Sequence, residues 1–468
     1  MLPKARYEKL KEYLSTENPI LLDVIDKYAA LDSIAHKNGL LPSEETYTSH
    51  ISWWPMISVL GTFSAGKSSF INKYLDHPIQ ESGNQAVDDK FTVICYGDSQ
   101  TPTTLPGLAL DADPRFPFYN ISEEVNKVDP GEGNRVNLYM QLKTLKSDKI
   151  KGKILIDSPG FDTDSQRDGI LRITSHIVDM SDLVLIFFDA RHPEPGAMRD
   201  TLKHLVGTTL KHRDANKVLY ILNQIDVTAQ EDNLEAVISS WQRALSQEGL
   251  ISGNFYGIYN EDVAMPIEDE AQAERLSRKS TEDIKRITER MDKVSTERAY
   301  RIIKALEDFS LEMKDNKLPV LQEELQSWSK KVFWTDIVVL LLATVGLGLL
   351  ELEFGLMNKL LHPNLIGGVT LLAMVLTFLD IHTKVRKFFA NSAIKEWKEK
   401  DISISNGIAH NTRWWQPLMS ANSRNWTKKT NSKLISLVND AKTAIQKLND
   451  QFISPVGSKM QDAQNKDK

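Results

Sequence analysis

The residues best suited to chemistry form the run Gly61-Thr62-Phe63-Ser64-Ala65-Gly66-Lys67-Ser68-Ser69-Phe70. It fits G-x-x-x-x-G-K-[ST], the phosphate-binding P-loop. Gly61 and Gly66 allow a tight turn that brings backbone N–H groups onto phosphate oxygens. The N-terminus of a following helix adds partial positive charge at the same place. Lys67 is expected to reach the β- and γ-phosphates, and the Ser68 hydroxyl to hold Mg²⁺. Ser64 is placed for its hydroxyl to face the triphosphate, with Ala65 and Ser69 completing the loop. Phosphoryl chemistry at such a site is positioning and charge stabilisation without a covalent intermediate. Ser64 is therefore read as a hydrogen-bonding partner and not as a nucleophile.

Two further patterns lie at predicted strand ends. Asp157-Ser158-Pro159-Gly160 matches D-x-x-G about ninety residues after the P-loop. There the carboxylate of Asp157 is expected to reach Mg²⁺ through water. The Gly160 N–H would sense the γ-phosphate and couple hydrolysis to loop movement. Asn223-Gln224-Ile225-Asp226 resembles N-K-x-D, in which Asp accepts two N–H donors of guanine and Asn braces the P-loop. Gln224 replaces the lysine whose stem covers the base, so the choice between GTP and ATP is left open. His176, His192, His204 and His212 show no metal-like grouping and are read as surface or loop residues.

The elements that must carry these residues are legible from periodicity. Met56-Ile57-Ser58-Val59-Leu60 before the P-loop suits a buried strand, and Phe70 to Leu75 after it suits a helix. Phe91–Tyr96, Ile154–Ile156, Leu183–Phe188, Val218–Leu222 and Phe255–Tyr259 read as further strands, several of buried parallel type. A helix is expected over 231–248. The alternation predicts an α/β nucleotide domain with a mostly parallel sheet over 51–265. Residues 1–50 read as a helical arm, with Leu21, Val24, Ile25, Tyr28, Leu31 and Ile34 at spacings of three and four. Residues 266–331 return to helix.

Residues 332–382 differ in kind. The runs Ile337–Leu350 and Leu365–Leu379 are uncharged, and Lys330, Lys331, Lys384, Arg386 and Lys387 flank their outer ends. Each run is shorter than the roughly 20 residues of a spanning helix, so buried core helices compete with a membrane hairpin. Re-entrant and two-pass forms are not separable here. With a membrane, the positive-inside rule keeps both ends, and the nucleotide domain, cytoplasmic. Residues 383–468 form a basic helical region with 16 Lys/Arg against 7 Asp/Glu, although the 468-residue chain has a net charge of -6. That asymmetry points to an anionic membrane surface; no nucleic-acid module is evident. A single cysteine, Cys95, excludes an internal disulfide framework. The first residues, Met1 to Arg6, lack the apolar core of a signal peptide.

Gly-x-x-Ser-x-Gly-Lys-Ser-Ser is similar to the P-loop of the dynamin superfamily. The segment Pro106-Gly107-Leu108-Ala109-Leu110-Asp111-Ala112-Asp113-Pro114-Arg115-Phe116-Pro117-Phe118 resembles the EHD (Eps15-homology-domain) ATPases. The Asp157–Gly160 motif, the Phe188-Asp189-Ala190 strand end, Asn223 to Asp226, and Arg298-Ala299-Tyr300-Arg301-Ile302-Ile303 follow in the same order. The resemblance covers roughly residues 50–315 and the arm before them. It implies a dynamin-type G domain with a helical domain built from both flanks. It also implies Mg²⁺ as cofactor, GTP or ATP as ligand, self-association through the nucleotide face, and hydrolysis coupled to membrane remodelling. Phe63 takes the position before the P-loop serine, and Lys67 and Ser68 carry over directly.

The chain also departs from the family. Val87-Asp88-Asp89 stands where the family has a Thr-Thr-Asp switch, and Thr92, Thr103 and Thr104 do not match that position. No calcium-loop pattern of an EH domain is read; the apolar hairpin and basic region stand in its place. The expected function is thus a membrane-anchored dynamin-like NTPase. The alternative is a membrane-tethered nucleotide switch or scaffold with little hydrolysis. A small-molecule kinase or transport ATPase is disfavoured by Asn223–Asp226 and by the lack of an ABC-type signature.

Overall fold

The structure, a computed structural model, describes residues 4–42, 45–48, 51–62, 64–81, 90–111, 116, 118, 121–122, 133, 136–160, 167–191, 217–247, 255–354, 365–413 and 427–451. The chain divides into two compact units, one of residues 51–301 and one of residues 1–50 with 302–468.

The first unit is built on an eight-stranded sheet. Its strands are β1 (Met56–Gly61), β2 (Phe91–Tyr96), β3 (Thr103–Pro106), β4 (Met140–Leu145), β5 (Ile154–Asp157), β6 (Leu183–Asp189), β7 (Val218–Asn223) and β8 (Phe255–Ile258). The order is β3-β4-β2-β5-β1-β6-β7-β8. Pairing is parallel from β5 through β1, β6 and β7 to β8, while β2 runs antiparallel to β5 and β3 antiparallel to β4. The expected sheet is therefore present, with β3 and β4 added to the strands read from periodicity. β3 is the edge strand and is exposed at all four positions.

Alternation along the central strands sorts their side chains between two helical layers. Val184, Ile186 and Phe188 of β6 pack with Val237, Trp241 and Leu245 of the helix Leu234–Gln247. Leu183, Leu185 and Phe187 face the other way. They pack with Ile71 and Leu75 of the helix Lys67–Leu75 and with Ile287, Met291 and Val294 of the long helix Glu270–Glu312. Burial on both faces is why these strands read as continuous apolar runs. Cys95 on β2 is half-buried against the core.

A buried carboxylate fixes where the sheet begins. Asp182, just before β6, accepts the Met56 N–H of β1 at 2.9 Å, and its own N–H donates to Met56 O at 2.8 Å. The other carboxylate oxygen takes Arg298 Nη1 at 3.3 Å and Arg301 Nη1 at 2.8 Å, and Arg298 Nε donates to Ser52 O at 2.7 Å. The long helix is thus tied to the root of the strand that carries the P-loop.

The second unit is helical. Pro19–Asn38 begins at an Asn18 cap and buries Leu21, Val24, Ile25, Tyr28, Leu31 and Ile34, the expected stripe. Tyr28 donates to Ile302 O at 2.7 Å, and Lys27 pairs with Asp440 of the helix Lys428–Asp450 at 2.8 Å. Both flanks therefore contribute to one helical body.

Helices Leu318–Phe354 and Leu365–Lys400 run antiparallel. Trp328, Val332 and Ala390 pack together, Trp328 Nε1 donates to Arg386 O at 3.2 Å, and Asp336 meets His382 at 2.7 Å. Beyond that pair Val338, Leu341, Leu342, Val345, Leu372 and Leu376 are all more than half exposed. One helical stretch ending at Leu349 is long and apolar enough to cross a membrane, by length and composition, and almost none of its apolar window is buried in the protein. The link 355–364, Trp414, Trp415, Trp426 and the tail after 451 lie outside the described residues.

Asp182→Ala leaves the Met56 N–H and two guanidinium groups without their acceptor, and breaking such a buried pair costs about 3 kcal/mol. Hydrogen exchange should show β1 amide protection falling roughly a hundredfold. Unchanged protection would mean that Asp182 does not anchor this strand.

Candidate functional site

The P-loop leaves the carboxyl end of β1, between β5 and β6. Gly61 lies so close to Phe187 that a Cβ would sit 2.7 Å from the Phe187 carbonyl oxygen. Ser64 has φ 56° and Gly66 has φ 82°. A Cβ on Gly66 would collide with the side-chain amide of Asn223. Steric room and left-handed backbone thus both select glycine there. Strain at Ser64 is the sort kept at ligand-binding loops. Gly66 then caps the helix Lys67–Leu75. Ala65 and Lys67 are buried, Ser64 and Ser68 half-buried and Ser69 exposed; Phe63 lies outside the described residues.

Lys67 Nζ donates to Gly61 O at 3.0 Å and to Thr62 O at 2.9 Å. Burial lowers its pKa below the ordinary lysine value, and the negative charge of Asp157 only partly opposes this. Its nearest partners are neutral carbonyls, an arrangement that favours an incoming anion.

Asp157 ends β5 and is 3% exposed. Its Oδ2 accepts Gln80 Nε2 at 2.6 Å. Gln80 Oε1 in turn accepts Lys143 Nζ at 2.7 Å, and Lys143 also donates to Ile79 O at 3.0 Å. A lysine can only donate, so it turns the Gln80 amide with its NH₂ toward Asp157. Asn72 holds the Gln80 backbone from both sides, accepting its N–H at 2.8 Å and donating to its carbonyl at 2.7 Å. Ser158 N donates to Val59 O at 3.0 Å, so the D-x-x-G loop is stitched to β1. The buried Ser158 Oγ has no hydrogen-bond partner among the described residues. Gly160 is the last described residue of that loop, and 161–166 lie outside the description, as do Val87-Asp88-Asp89. Thr92 is buried opposite Asp157 in the β2–β5 ladder and accepts from Gln141, while Thr103 and Thr104 sit on the exposed edge strand. Of the four histidines, His176 is exposed; His192, His204 and His212 are outside the described residues.

Hard oxygen donors from Ser68 and Asp157, together with the orphaned Ser158 hydroxyl, fit Mg²⁺, which keeps several waters and takes few protein ligands.

The Asn223–Asp226 loop closes the other side. Asn223 Nδ2 donates to Ala65 O at 2.9 Å, which is the expected bracing of the P-loop. Gln224 is left-handed, with φ 64°, and its Nε2 donates to Ser64 O at 2.9 Å. Asp226 is 7% exposed, and its Oδ2 accepts the Met265 N–H at 3.0 Å. Three groups reach the site without any sequence signal: Gln80, Lys143 and Arg191. The first two carry no motif: Lys143 reaches Gln80 from β4, and Gln80, held by Asn72, reaches Asp157.

Residues 57–225 match the model of the Dynamin family. EH domain-containing protein 2 of Homo sapiens is 28% identical over 213 residues, covering 41% of this chain and 36% of that protein. EH domain-containing protein 3 of Homo sapiens is 25% identical over 210 residues, with the same two coverages. The matched part thus spans about a third of the length of these relatives. A solved structure of an oligomerised bacterial dynamin pair, described as giving a mechanism for long-range sensing and tethering of membranes, aligns with 95% of this chain and 77% of its own at 14% identity. Its TM-score of 0.36 is too low for a detailed comparison.

Because burial lowers the Lys67 pKa from 10.5, the unfolded chain binds that proton more tightly than the folded one. The resulting penalty is full below the folded value and is relieved as pH rises from there to the unfolded one. Ligand-free Lys67→Met protein should therefore melt at or above the wild-type temperature at pH 7, with the gap narrowing in alkali. A lower melting temperature at pH 7 would refute this view of the lysine.

Proposed function

We propose that this chain, whose nucleotide domain is of the dynamin superfamily and resembles its EHD branch, is a membrane-anchored NTPase that couples nucleotide binding and self-association to membrane remodelling. One observation carries the reading. The chain holds a buried lysine among P-loop carbonyls and also leaves a row of large apolar side chains exposed along one helical hairpin.

At the nucleotide site, backbone N–H groups of Gly61 to Ser69 and the ammonium of Lys67 receive the triphosphate. Ser68, and Asp157 through water, would hold Mg²⁺, which when bound would supply charge neutralisation at the phosphate oxygens. Gln80 keeps the Asp157 carboxylate turned to that task. Gly160 senses the γ-phosphate, and Ser64 donates to it. Asp226 supports GTP, whereas the EHD likeness supports ATP. The nucleotide face is the self-association surface. Slow turnover is the second reading, favoured by Val87-Asp88-Asp89 in place of the switch threonines.

At the membrane, Ile337–Leu350 extends about 21 Å as helix, against a hydrocarbon core of about 30 Å. Phe333 and Trp334 lie at the base of the run, beside Lys330 and Lys331 on the same helix and near Lys384 and Lys387 on its antiparallel partner. Aromatic and basic groups at that level suit an anionic headgroup layer. The nucleotide domain is cytoplasmic in this arrangement.

Equilibrium binding of GTP and of ATP with Mg²⁺, with Lys67→Ala as control, tests the nucleotide half. If neither ligand binds, or if Lys67→Ala binds as wild type does, the P-loop assignment fails. Turnover stimulated by liposomes and abolished in Lys67→Ala supports the remodelling enzyme; binding without turnover supports the switch.

Gln80→Leu removes a group that orients a metal-shell carboxylate, a change that typically costs ten- to a hundredfold in metal affinity. The Mg²⁺ concentration for half-maximal tightening of nucleotide should rise by about that factor, while binding in EDTA stays the same. An unchanged Mg²⁺ midpoint would remove Gln80 from the site.

Leu341→Asp with Leu376→Asp places two carboxylates on exposed apolar positions, each costing about 3 kcal/mol in a bilayer centre. Sedimentation with anionic liposomes should be lost while the protein stays folded and binds nucleotide. Retained sedimentation would exclude the hairpin as the anchor.

A further inference from the structure

We propose that Arg191 is the cation of the base-facing side of the nucleotide site, taking the place of the lysine that N-K-x-D carries and Gln224 lacks. The inference rests on the nucleotide-binding reading above and names the group that would cover a purine.

The Ser64 carbonyl is the meeting point. Gln224 Nε2 donates to it at 2.9 Å, and Arg191 Nη2 approaches it to 3.4 Å. Two side chains from different strand ends therefore converge on one P-loop oxygen. Register accounts for this. Asp189 at the end of β6 pairs with Asn223 at the end of β7, and Ala190 N donates to Asn223 O at 3.0 Å. The residue after Ala190 is thereby set beside the Asn223–Asp226 loop.

Arg191 is also held in one orientation. Its Nε lies 3.1 and 3.0 Å from the two Asp189 oxygens, its Nη2 lies 2.7 Å from Oδ2, and its backbone N–H donates to Oδ1 at 2.8 Å. The Asp189 side chain is 5% exposed, while that of Arg191 is 42% exposed. The guanidinium is thus clamped along one edge by a buried carboxylate and open to solvent elsewhere. The bond to Asp189 and the nearby charge of Asp226 hold its pKa above the ordinary arginine value, so it stays charged.

The chemistry of the pair divides the work of one lysine. Gln224 keeps the hydrogen bond to the P-loop, but its amide is neutral and its stem is shorter. Arg191 supplies the charge and, being planar, a surface that stacks on an aromatic ring. Every base has such a face, so stacking is indifferent to base identity. Arg191 would accept adenine and guanine alike, leaving Asp226 as the discriminating group.

The test is equilibrium binding of fluorescent GTP and ATP analogues with Mg²⁺ to wild type, Arg191→Ala, Gln224→Lys, the Arg191→Ala/Gln224→Lys double variant and Lys67→Ala. Inorganic tripolyphosphate serves as competitor, and circular dichroism checks folding. Loss of a desolvated cation–π contact predicts about tenfold weaker binding of both nucleotides to Arg191→Ala. Tripolyphosphate affinity should be unchanged, and the double variant should recover most of the loss. Wild-type affinity in Arg191→Ala, a parallel fall in tripolyphosphate affinity, or no recovery by Gln224→Lys would each overturn the inference. If Lys67→Ala still abolishes binding in those cases, the nucleotide site itself stands. If wild type binds no nucleotide, both readings fall together.

Discussion

A buried ammonium held by neutral carbonyls is the constraint on which the nucleotide domain turns. Lys67 lies at the first turn of its helix with Gly61 O and Thr62 O as its hydrogen-bond acceptors, and burial works against its charge. Such a group is tolerated only where the backbone around it is fixed by something else. Here β1 is buried on both sides between β5 and β6, and Asp182 ties its root to the long helix. At its other end, Asn223 and Gln224 hold the carbonyls of Ala65 and Ser64. The loop is thus clamped at both ends, with the Ala65 N–H turned inward to Thr62 O at 3.3 Å.

Legibility in the sequence followed locality. The P-loop, D-x-x-G and Asn223–Asp226 were readable because each is a short backbone device at a strand end, where spacing alone fixes geometry. The central strands were readable because burial on both faces makes them continuously apolar. The long edge of the sheet was not: β3 is exposed at every position and carries no apolar signal, and the antiparallel β2 looks like its parallel neighbours. Gln80 and Lys143 were invisible for a different reason. They lie far apart in sequence, and the sheet pairing that sets β4 beside β2 and β2 beside β5 brings Lys143 to Gln80 and, through it, to the Asp157 carboxylate. Arg191 carries no motif of its own; its approach to Ser64 O follows from the register of β6 against β7. Asp226 was read as a base acceptor, but its bond to the Met265 N–H, thirty-nine residues away, had no sequence signal.

The helical unit solves a different physical problem. Apolar surface exposed to water is unfavourable in proportion to its area, and a hairpin that leaves Leu341, Leu342, Val345 and Leu376 more than half exposed needs a rigid base. Trp328, Val332 and Ala390 supply it, with the Arg386 guanidinium 5.3 Å from the Trp328 ring. The Asp336–His382 pair marks where polar packing ends and the apolar run begins. Its position explains why the two uncharged runs read as too short for independent spans: part of each helix is committed to packing within the protein.

The two sides of the nucleotide site are built from different materials, and this sets what each can select. The phosphate side is mostly backbone, with N–H groups positioned by Gly66 and a left-handed Ser64, so it is specified by chain geometry and indifferent to the base. The facing side is side chain throughout: Asn223 braces Ala65 O, Gln224 and Arg191 both donate to Ser64 O, and Asp226 accepts the Met265 N–H. Replacing one lysine by an amide and a guanidinium leaves the mechanical tie to Ser64 intact, because both new groups reach the same oxygen. On the proposal made for Arg191 the source of charge lies at the end of β6 and not in the Asn223–Asp226 loop. Parallel strand order makes the two strand-end loops adjacent, so on that proposal a cation missing from one loop is supplied from its neighbour.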